Sequence, residues 1–276
     1  GTPDEGKTSW AEGDDSEFVK ILDNAEIRKQ LNTTDEIENE LLEIIERLKN
    51  GGMRLNDSMN MRYSDMVDYY TMWVHQIKTP IASMHLILQK EDSEDSRRLR
   101  AELFRVEQYV QMVLCFLRLD SDFTDYVIKE YRVDDIIRPA VRRLAPQFIM
   151  KKLSLEYEQT DEVALTDEKW LSFVVEQVLS NAVKYTSAGS ISIKCDGDRL
   201  VISDTGIGIA AEDLPRIFDK GYTGFNGRAD RKASGIGLYL CRRICDNLGH
   251  SIKVESAAGH GTTIIIGLER DKLEVE

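Results

Sequence analysis

The 276 residues carry 36 Lys and Arg against 49 Asp and Glu, a formal net charge of −13, which argues against nucleic acid or an anionic membrane surface as the main partner. Hydrophobic residues make up 42% and charged residues 31%, so the chain can build cores, and its length suggests about two domains. The sequence contains no apolar run of about 18 residues, so no bilayer-spanning segment is predicted. Residues 1–6 lack Met and the basic-then-apolar pattern of a signal peptide, and we therefore interpret the chain as a fragment.

The cysteines show no pattern typical of a metal site or a disulfide framework. None of the four, Cys115, Cys195, Cys241 and Cys245, has C-x-x-C spacing. No paired His or Cys cluster completes a zinc site beside Cys241 and Cys245. We expect reduced thiols, as in a cytosolic domain.

The first predicted helix follows a polar segment, residues 1–20. Apolar residues then recur at heptad spacing, namely Ile37, Leu41, Ile44 and Leu48. The run Asn50-Gly51-Gly52 is expected to end this helix. Two heptads do not distinguish a coiled-coil linker from a short surface helix packed on its own domain, and both interpretations stay open.

Two further stretches have apolar residues at steps of three and four, which is typical of helices with one apolar stripe. The first stripe is Val67, Tyr70, Val74, Ile77, Ile81, Met84 and Leu88, and the second is Leu99, Leu103, Val106, Val110, Val113 and Leu117. A polar turn at residues 90–96 separates them, which predicts an antiparallel helical hairpin. Because two narrow stripes bury little, we expect the hairpin to dimerise into a four-helix bundle.

After about residue 125 the pattern changes to short β-rich runs, helical stretches and Gly-rich loops. The runs are residues 190–195, 200–203, 251–255 and 262–268, and the helical stretches are residues 133–150, 168–184 and 236–248. This order predicts a two-layer α/β sandwich and an α+β chain overall. We assign an N-terminal segment and helical linker to residues 1–61, the hairpin to 62–124 and the sandwich to 125–276.

One histidine of the hairpin is a candidate catalytic residue. His75 stands between Val74 and Ile77 of the apolar stripe, so its side chain is predicted to face solvent. Pro80 offers no N–H to the carbonyl of Gln76 and is expected to kink or loosen the helix. A loosened turn beside an exposed imidazole favours a functional role, although a lone helical histidine is also common as a surface residue. By contrast, we expect His85 to lie on the bundle surface.

A second group of candidate residues lies in the sandwich. An Asp-Thr-Gly-Ile-Gly-Ile run at residues 204–209 follows an apolar strand, and further Gly-x-Gly runs occur at residues 235–237 and 259–261. Glycines allow close backbone approach, and at a helix start they leave N–H groups directed at an anion. Any single run is weak evidence. Three of them together with Asn181 in an amphipathic helix indicate a phosphate-bearing ligand.

These motifs resemble those of the bacterial sensor histidine kinases. His75-Gln76-Ile77-Lys78-Thr79-Pro80 is similar to the H-box and residues 177–186 (QVLSNAVKYT) to the N-box. The G1, F, G2 and G3 boxes resemble residues 204–209, 217–220, 235–238 and 259–263 in family order. Residues 69–80 are similar to a narrower group, the intramembrane-sensing kinases of Gram-positive bacteria that work beside peptide-antibiotic ABC transporters.

The resemblance implies a role for each matching position. His75 matches the histidine that attacks the γ-phosphate of ATP, and Thr79 the position that orients water during dephosphorylation of the partner. Asn181 matches the Mg²⁺ ligand and Asp204 the carboxylate that accepts a hydrogen bond from the adenine amino group. The remaining nucleotide-binding positions that it implies are Gln177, Lys184, Tyr185, Gly206, Gly208, Ile209, Lys220, Tyr222, Gly235, Gly237, Leu238 and Thr263. Residues 220–236 match a mobile lid, with Gly221, Gly224 and Gly227 and the basic Arg228, Arg231 and Lys232.

Two positions depart from the family pattern. Gln76 stands where an acidic residue usually follows the histidine, and an amide cannot act as a base. An ordinary imidazole is already mostly neutral at pH 7, and the narrower group has the same Gln, so this departure does not indicate a dead enzyme. Gln177 replaces the first Asn of the N-box and could still reach the metal or its water.

Three functions remain as hypotheses from the sequence. The first is a dimeric autokinase that uses ATP and Mg²⁺, phosphorylates His75 and passes the phosphoryl group to an aspartate of a response regulator, with phosphatase activity as a possible addition. As the cytoplasmic part of a membrane protein, it would follow a transmembrane segment and work with an ABC transporter. The second is an ATP-hydrolysing relative, disfavoured because Gln177 occupies the position of its catalytic Glu. The third is a nucleotide-binding scaffold without catalysis.

Overall fold

The structure is a computed structural model that describes residues 36–90, 93–119, 126–224 and 234–269. The chain divides into two units, residues 1–62 and 63–276. The helices are α1 (Glu36–Leu88), α2 (Glu94–Leu119), α3 (Val133–Lys151), α4 (Glu168–Tyr185) and α5 (Gly237–Leu248), and the strands are β1 (Lys129–Arg132), β2 (Ser154–Tyr157), β3 (Val163–Thr166), β4 (Ser190–Asp196), β5 (Arg199–Asp204), β6 (Ser251–Ser256) and β7 (Thr262–Gly267). No described helix is long and apolar enough to cross a membrane.

The first helix is longer than the sequence pattern predicts. We expected it to end at Gly51 and Gly52, but α1 runs through both, and neither glycine has a positive φ. A glycine in a helix interior costs only about 1 kcal/mol, and a helix stops only where the backbone leaves the helical region. The heptad residues Leu41, Ile44 and Leu48 are exposed in the single chain.

The second half of α1 and α2 form the predicted hairpin. Val74 and Ile81 of α1 are buried, as are Leu103, Val110 and Leu117 of α2. At the end of the hairpin away from its turn, the hydroxyl of Tyr63 donates a 2.7 Å hydrogen bond to the carbonyl of Leu117. Every second position of the α2 stripe stays open, with Leu99 56%, Val106 45% and Val113 43% exposed. The single chain therefore leaves half of its apolar stripe uncovered.

The sandwich consists of a five-stranded sheet in the order β2-β4-β5-β7-β6 and helices packed on one face. Only β2 and β4 pair in parallel, and the other neighbours are antiparallel. Buried Ile191, Ile193, Leu200 and Ile202 alternate along β4 and β5, as expected for a sheet with one covered face. This confirms the predicted fold class. Three short strands were not predicted: β1 and β3, which pair separately, and β2 at the edge of the main sheet.

The helix α4 connects the core to the site. Leu171, Val174, Val175 and Leu179 face the core and are fully buried, and each such side chain contributes roughly 1.5–3 kcal/mol. Asp167 caps its N-terminus, because its carboxylate accepts hydrogen bonds from the N–H groups of Lys169 and Trp170 at 2.9 and 3.1 Å. Because one face of α4 is packed in the core and its N-terminus is capped, the face that points away from the core has a fixed position relative to the sheet.

Candidate active site

A cavity of about 300 Å³ lies where the exposed face of α4 meets the ends of β5 and β7 and the start of α5. Eleven of the residues that the resemblance assigns to nucleotide binding line it, namely Gln177, Asn181, Lys184, Tyr185, Asp204, Gly208, Ile209, Tyr222, Gly235, Gly237 and Leu238. They come from four separate segments of the sequence. The fold therefore brings together most of the residues that the motifs single out.

Four of these residues share one face of α4. Gln177, Asn181, Lys184 and Tyr185 are spaced by four, three and one, which puts their side chains on the side away from the core. The amide nitrogen of Gln177 lies 3.5 Å from the amide oxygen of Asn181. A Cβ on Gly237 would lie 2.4 Å from that same Gln177 nitrogen, so the glycine lets the start of α5 approach α4.

Asp204 ends β5 inside the cavity. Its carboxylate accepts a 2.8 Å hydrogen bond from the N–H of Gly206. Burial raises the pKa of Asp204, while the backbone N–H groups of Gly206 and Thr262 and the nearby Thr186 hydroxyl oppose that rise. The Thr186 hydroxyl is buried and meets no described partner with good hydrogen-bond geometry. The Asp204 carboxylate lines the cavity and can accept a hydrogen bond from a ligand.

The glycine loops close tightly around this corner. At Gly208, where φ is +65°, a Cβ would lie 2.0 Å from the carbonyl oxygen of Ala257. At Gly261, where φ is +85°, it would lie 1.9 Å from the carbonyl oxygen of Asp204. A side chain at position 261 would displace the backbone of Asp204, and one at position 208 would displace the backbone of Ala257.

Three predicted nucleotide-binding residues do not line the cavity. Gly206 supports Asp204 through its N–H, and the hydroxyl of Thr263 is 2.9 Å from that of Ser203. The ammonium of Lys220 lies 4.5 Å from the ring centre of Phe116 in α2. Of the proposed lid, residues 225–233, which include Gly227, Arg228, Arg231 and Lys232, lie outside the described residues.

His75 lies on the exposed side of α1, as predicted, and Gln76 and Thr79 are also exposed. The helix continues through Pro80. The Thr79 hydroxyl lies 3.5 Å from the carbonyl oxygen of His75, one turn earlier in the helix. None of these three predicted catalytic residues is among the described residues that line the cavity.

The hairpin helix α2 forms one wall of the cavity, which sequence reasoning missed. Ala101, Arg105, Gln108, Tyr109 and Met112 line it from one face of α2. The helical spacing of these residues is visible in the sequence. No pattern in the sequence indicates that this face of α2 packs against the sandwich.

A series of contacts between charged side chains links both hairpin helices to the sandwich. His85 in α1 is 3.1 Å from Glu107 in α2, and its side chain, which we expected on the bundle surface, is 31% exposed. The other oxygen of Glu107 is 3.6 Å from Arg143 in α3. Arg143 also forms a 2.6 Å ion pair with Glu176 in α4. Glu176 therefore points away from the cavity.

The donor set fits Mg²⁺ only together with a phosphate ligand. No group of three or more His, Cys, Asp or Glu side chains that could hold a metal occurs among the described residues. Asn181 supplies a single amide oxygen at the wall. Mg²⁺ requires six oxygens in a near-octahedral arrangement and commonly takes most of them from phosphates and water. The site can complete such a shell when a nucleotide is bound.

The cysteines are free thiols, as expected. Cys115, Cys241 and Cys245 are buried and Cys195 is half-buried, and none forms a disulfide. Burial raises the pKa of Cys115 and of Cys245 to about 12. These thiols therefore act as apolar core side chains.

Comparison with known proteins agrees with this geometry. Residues 166–272 match the family model described as the histidine kinase-, DNA gyrase B- and HSP90-like ATPase. The sensor protein kinase GraS of Staphylococcus aureus (strain MRSA252) is 30% identical over 259 residues, which cover 90% of this chain and 71% of GraS. The chain belongs to the sensor histidine kinases.

Other sensor histidine kinases match a shorter part of the chain. YxdK of Bacillus subtilis (strain 168) is 35% identical over 205 residues, and the match covers 72% of this chain and 63% of YxdK. BceS of Halalkalibacterium halodurans is 36% identical over 206 residues, covering 72% of this chain and 61% of BceS. The chain thus spans about three-fifths of these two relatives. These sensors belong to the narrower group that residues 69–80 indicate.

A solved structure shares the fold. The crystal structure of full-length ShkA in complex with AMPPNP aligns with a TM-score of 0.51 at 21% identity, over 75% of this chain and 47% of ShkA. At this identity the alignment supports the architecture of this histidine kinase and nothing about its ligands.

Proposed function

We propose that this chain binds ATP with Mg²⁺ and transfers the γ-phosphoryl group to His75, from which it passes to an aspartate of a response regulator. The observation that carries this proposal is the cavity that joins Asn181, Asp204 and the glycine loops, in a chain whose hairpin exposes His75. The match of residues 166–272 to the histidine kinase-, DNA gyrase B- and HSP90-like ATPase family supports ATP as the ligand.

Different residues of the cavity would contact different parts of the nucleotide. The Asp204 carboxylate would accept a hydrogen bond from the adenine amino group, and Tyr185 would lie beside the adenosine. Asn181 would hold Mg²⁺, and Gln177 would orient Asn181 or a metal-bound water. When bound, Mg²⁺ neutralises charge on the phosphate oxygens. The phosphates would lie near the start of α5, because the first N–H groups of a helix have no partner within it and favour an anion.

The transfer itself needs little from the protein besides position. A neutral ring nitrogen of His75 attacks the γ-phosphorus as the bond to the ADP oxygen breaks. The proton on the imidazolium then leaves to water, because the Gln76 amide cannot accept it. In the second step a carboxylate oxygen of the response regulator attacks the phosphorus and the N–P bond breaks. The ring takes up one proton from water, which returns His75 to its neutral form.

The partners follow from the same proposal. The uncovered stripe at Leu99, Val106 and Val113 supports a homodimer that completes a four-helix bundle. We assign the hairpin to residues 62–124 and the ATP-binding sandwich to residues 125–276. The longer relatives support an additional membrane segment in the whole protein, with this part in the cytoplasm, and their group supports an ABC transporter as a further partner. Thr79 would orient water if the kinase also dephosphorylates its partner.

ATP hydrolysis is the second candidate function, and one contact disfavours it. The hydrolytic base would have to lie at the Gln177 position, where the amide cannot accept a proton. The adjacent carboxylate, Glu176, is held by Arg143 outside the cavity lining. Water in the cavity is therefore left without a carboxylate base on this helix.

Labelled ATP separates these functions. With γ-labelled ATP and Mg²⁺, we expect label on the parent chain that is stable in base and labile in acid, as a phosphohistidine is. His75→Ala should abolish the label and keep the affinity for Mg-ATP, whereas Asn181→Ala should lose the Mg²⁺-dependent affinity. His85→Ala is the matched control and should still be labelled. Release of labelled phosphate without labelled protein would favour hydrolysis, and absence of both would favour a scaffold.

A further inference from the structure

A lysine of α3 is bonded to the end of α4. The ammonium of Lys151, the last residue of α3, donates hydrogen bonds to the carbonyl oxygens of Val183, Lys184 and Thr186 at 2.6, 3.0 and 3.1 Å. An ammonium has three N–H donors and all three are used. No motif marks Lys151, which nevertheless lines the cavity.

These bonds complete the pairing of the last turn of α4. The carbonyl of Ala182 accepts from the N–H of Thr186 at 3.1 Å, and that of Tyr185 accepts from the N–H of Ile207 at 3.2 Å. The last carbonyls of a helix have no partner within it, and here Lys151 supplies donors to two of them, Val183 and Lys184, and to the C-cap residue Thr186. The C-terminal end of a helix carries partial negative charge, which favours a cation there.

The turn that Lys151 holds carries the residues closest to Asp204. Tyr185 lines the cavity, and the buried Thr186 hydroxyl affects the Asp204 carboxylate. A Cβ on Gly206 would lie 2.6 Å from the Tyr185 carbonyl oxygen and 3.0 Å from the Thr186 hydroxyl. A small displacement of this turn would therefore close or open the corner around Asp204.

The ammonium has no free donor for a ligand, although it lies at the cavity wall. Its pKa is lowered, first by burial and then by the charge of Arg105. A lysine that bound phosphate directly would keep its donors free and its charge exposed. Lys184, which the resemblance assigns to a phosphate, has its ammonium 4.9 Å from the Tyr185 ring.

We propose that Lys151 is a positioning residue of the nucleotide site, which fixes the last turn of α4 and thereby the adenosine-binding corner formed by Tyr185, Thr186 and Asp204. This inference rests on the proposed ATP-binding function. It predicts that Lys151 affects the adenosine part of every nucleotide equally, without contact to the phosphates.

The test compares four variants of the whole chain. Lys151→Met keeps the aliphatic stem and removes the donors, and Lys151→Arg keeps charge and donors. Lys152→Met is the matched control, because Lys152 is exposed and does not line the cavity. Lys184→Met is the comparison for a direct phosphate contact. Calorimetry gives Kd for AMP, ADP and Mg-ATP at two salt concentrations, labelling gives KM and kcat, and amide exchange reports on residues 183–189 without nucleotide.

We expect Lys151→Met to raise Kd about tenfold for all three nucleotides, independently of salt. Its KM should rise with kcat within about twofold of the parent, amide exchange at residues 183–189 should be faster, and Lys151→Arg should recover part of the affinity. Lys184→Met should instead lose more affinity with each added phosphate. The proposal is overturned if Lys151→Met leaves exchange and Kd unchanged, if its loss grows with phosphate number and falls with salt, or if Lys152→Met behaves alike. A parent chain that binds no nucleotide would instead refute the proposed function.

Discussion

The amide nitrogen of Gln108 donates a 2.7 Å hydrogen bond to the hydroxyl of Ser180, the residue that precedes Asn181. A side chain of the hairpin therefore contacts the nucleotide-binding helix one residue away from the proposed Mg²⁺ ligand. Because Gln108 itself lines the cavity, the hairpin and the nucleotide site are parts of one packed arrangement.

This contact should have a measurable coupling energy. A double-mutant cycle with Gln108→Ala and Ser180→Ala should give a coupling of about 0.5–1.5 kcal/mol in the free energy of unfolding, the usual net value of a hydrogen bond. Denaturant titration measures it. Gln89→Ala paired with Ser180→Ala is the control and should be additive. Additivity for Gln108 and Ser180 would show that the two helices separate in solution.

The ion pair between Arg143 and Glu176 should make stability depend on pH. Burial raises the pKa of Glu176, and the charge and hydrogen bond of Arg143 oppose that rise. A carboxyl whose pKa is higher in the folded than in the unfolded chain favours folding at low pH, and this contribution is lost as pH rises through the folded pKa. Arg143→Met raises the pKa further, so its loss of unfolding free energy should be large at pH 7 and shrink as the pH falls towards 4.

Glu176→Gln provides the matched comparison for that experiment. In this background the effect of Arg143→Met should vary less with pH, because only the Glu107 carboxyl, 3.6 Å away, then remains beside Arg143. Thermal unfolding of the parent, the two single variants and the double variant between pH 4 and 8 measures this. A loss that keeps the same size at every pH would assign the effect to packing of Arg143 on Phe104, whose ring centre is 5.5 Å away.

The Asp204 carboxylate should lower the free energy of unfolding while it provides recognition of the adenine base. Its pKa is raised by burial, so the ionised carboxylate opposes folding at neutral pH. Asp204→Asn should leave the unfolding free energy at pH 7 unchanged or higher and should lower the preference for ATP over GTP about tenfold, because an amide can turn a donor towards the adenine amino group. Competition binding measures the preference. Asp196→Asn, at the exposed end of β4, is the control, and an unaltered preference in Asp204→Asn would remove Asp204 as the base reader.

The α2 stripe should separate dimerisation from folding. Val106 is 45% exposed and Ile81 is 3% exposed in the single chain. Val106→Glu should give a folded monomer by sedimentation at micromolar concentration, because it places a charge in the dimer interface only. Ile81→Glu should lower the unfolding free energy by several kcal/mol, because it buries a charge within the hairpin. A parent chain that sediments as a monomer would contradict the four-helix arrangement.

Gln76 allows a test of whether the kinase needs a base beside His75. Gln76→Glu should raise the single-turnover rate of autophosphorylation less than tenfold, although a general base can contribute roughly 10²–10⁴. An imidazole is already mostly neutral at pH 7, and a new carboxylate would repel the triphosphate. Gln89→Glu is the control for charge, because it adds the same charge on an exposed part of the hairpin away from His75. A gain of a hundredfold would show that proton removal limits this kinase.

The sequence alone determined many of the elements and most of the chemistry. Apolar spacing of three and four predicted the hairpin, because burial of one face of a helix imposes a fixed period on the residues. Short β-rich runs predicted β4 and β5. The motifs around Asn181, Asp204 and the glycines predicted most of the residues that line the cavity. Each motif is a short run of residues, so its residue types and spacing can be read directly from the sequence. The turn signal at Asn50-Gly51-Gly52 gave a wrong helix end, because two glycines weaken a helix without ending it.

Only the tertiary structure decided which surfaces meet. Nothing local distinguishes Arg105 and Gln108, which line the cavity, from other polar residues of α2, and the partner of His85 lies 22 residues away. Lys151 is one of two adjacent lysines, and only its position against the end of α4 separates it from Lys152. Such contacts depend on how helices pack over one another, and helical spacing states which residues share a face without stating what that face will meet.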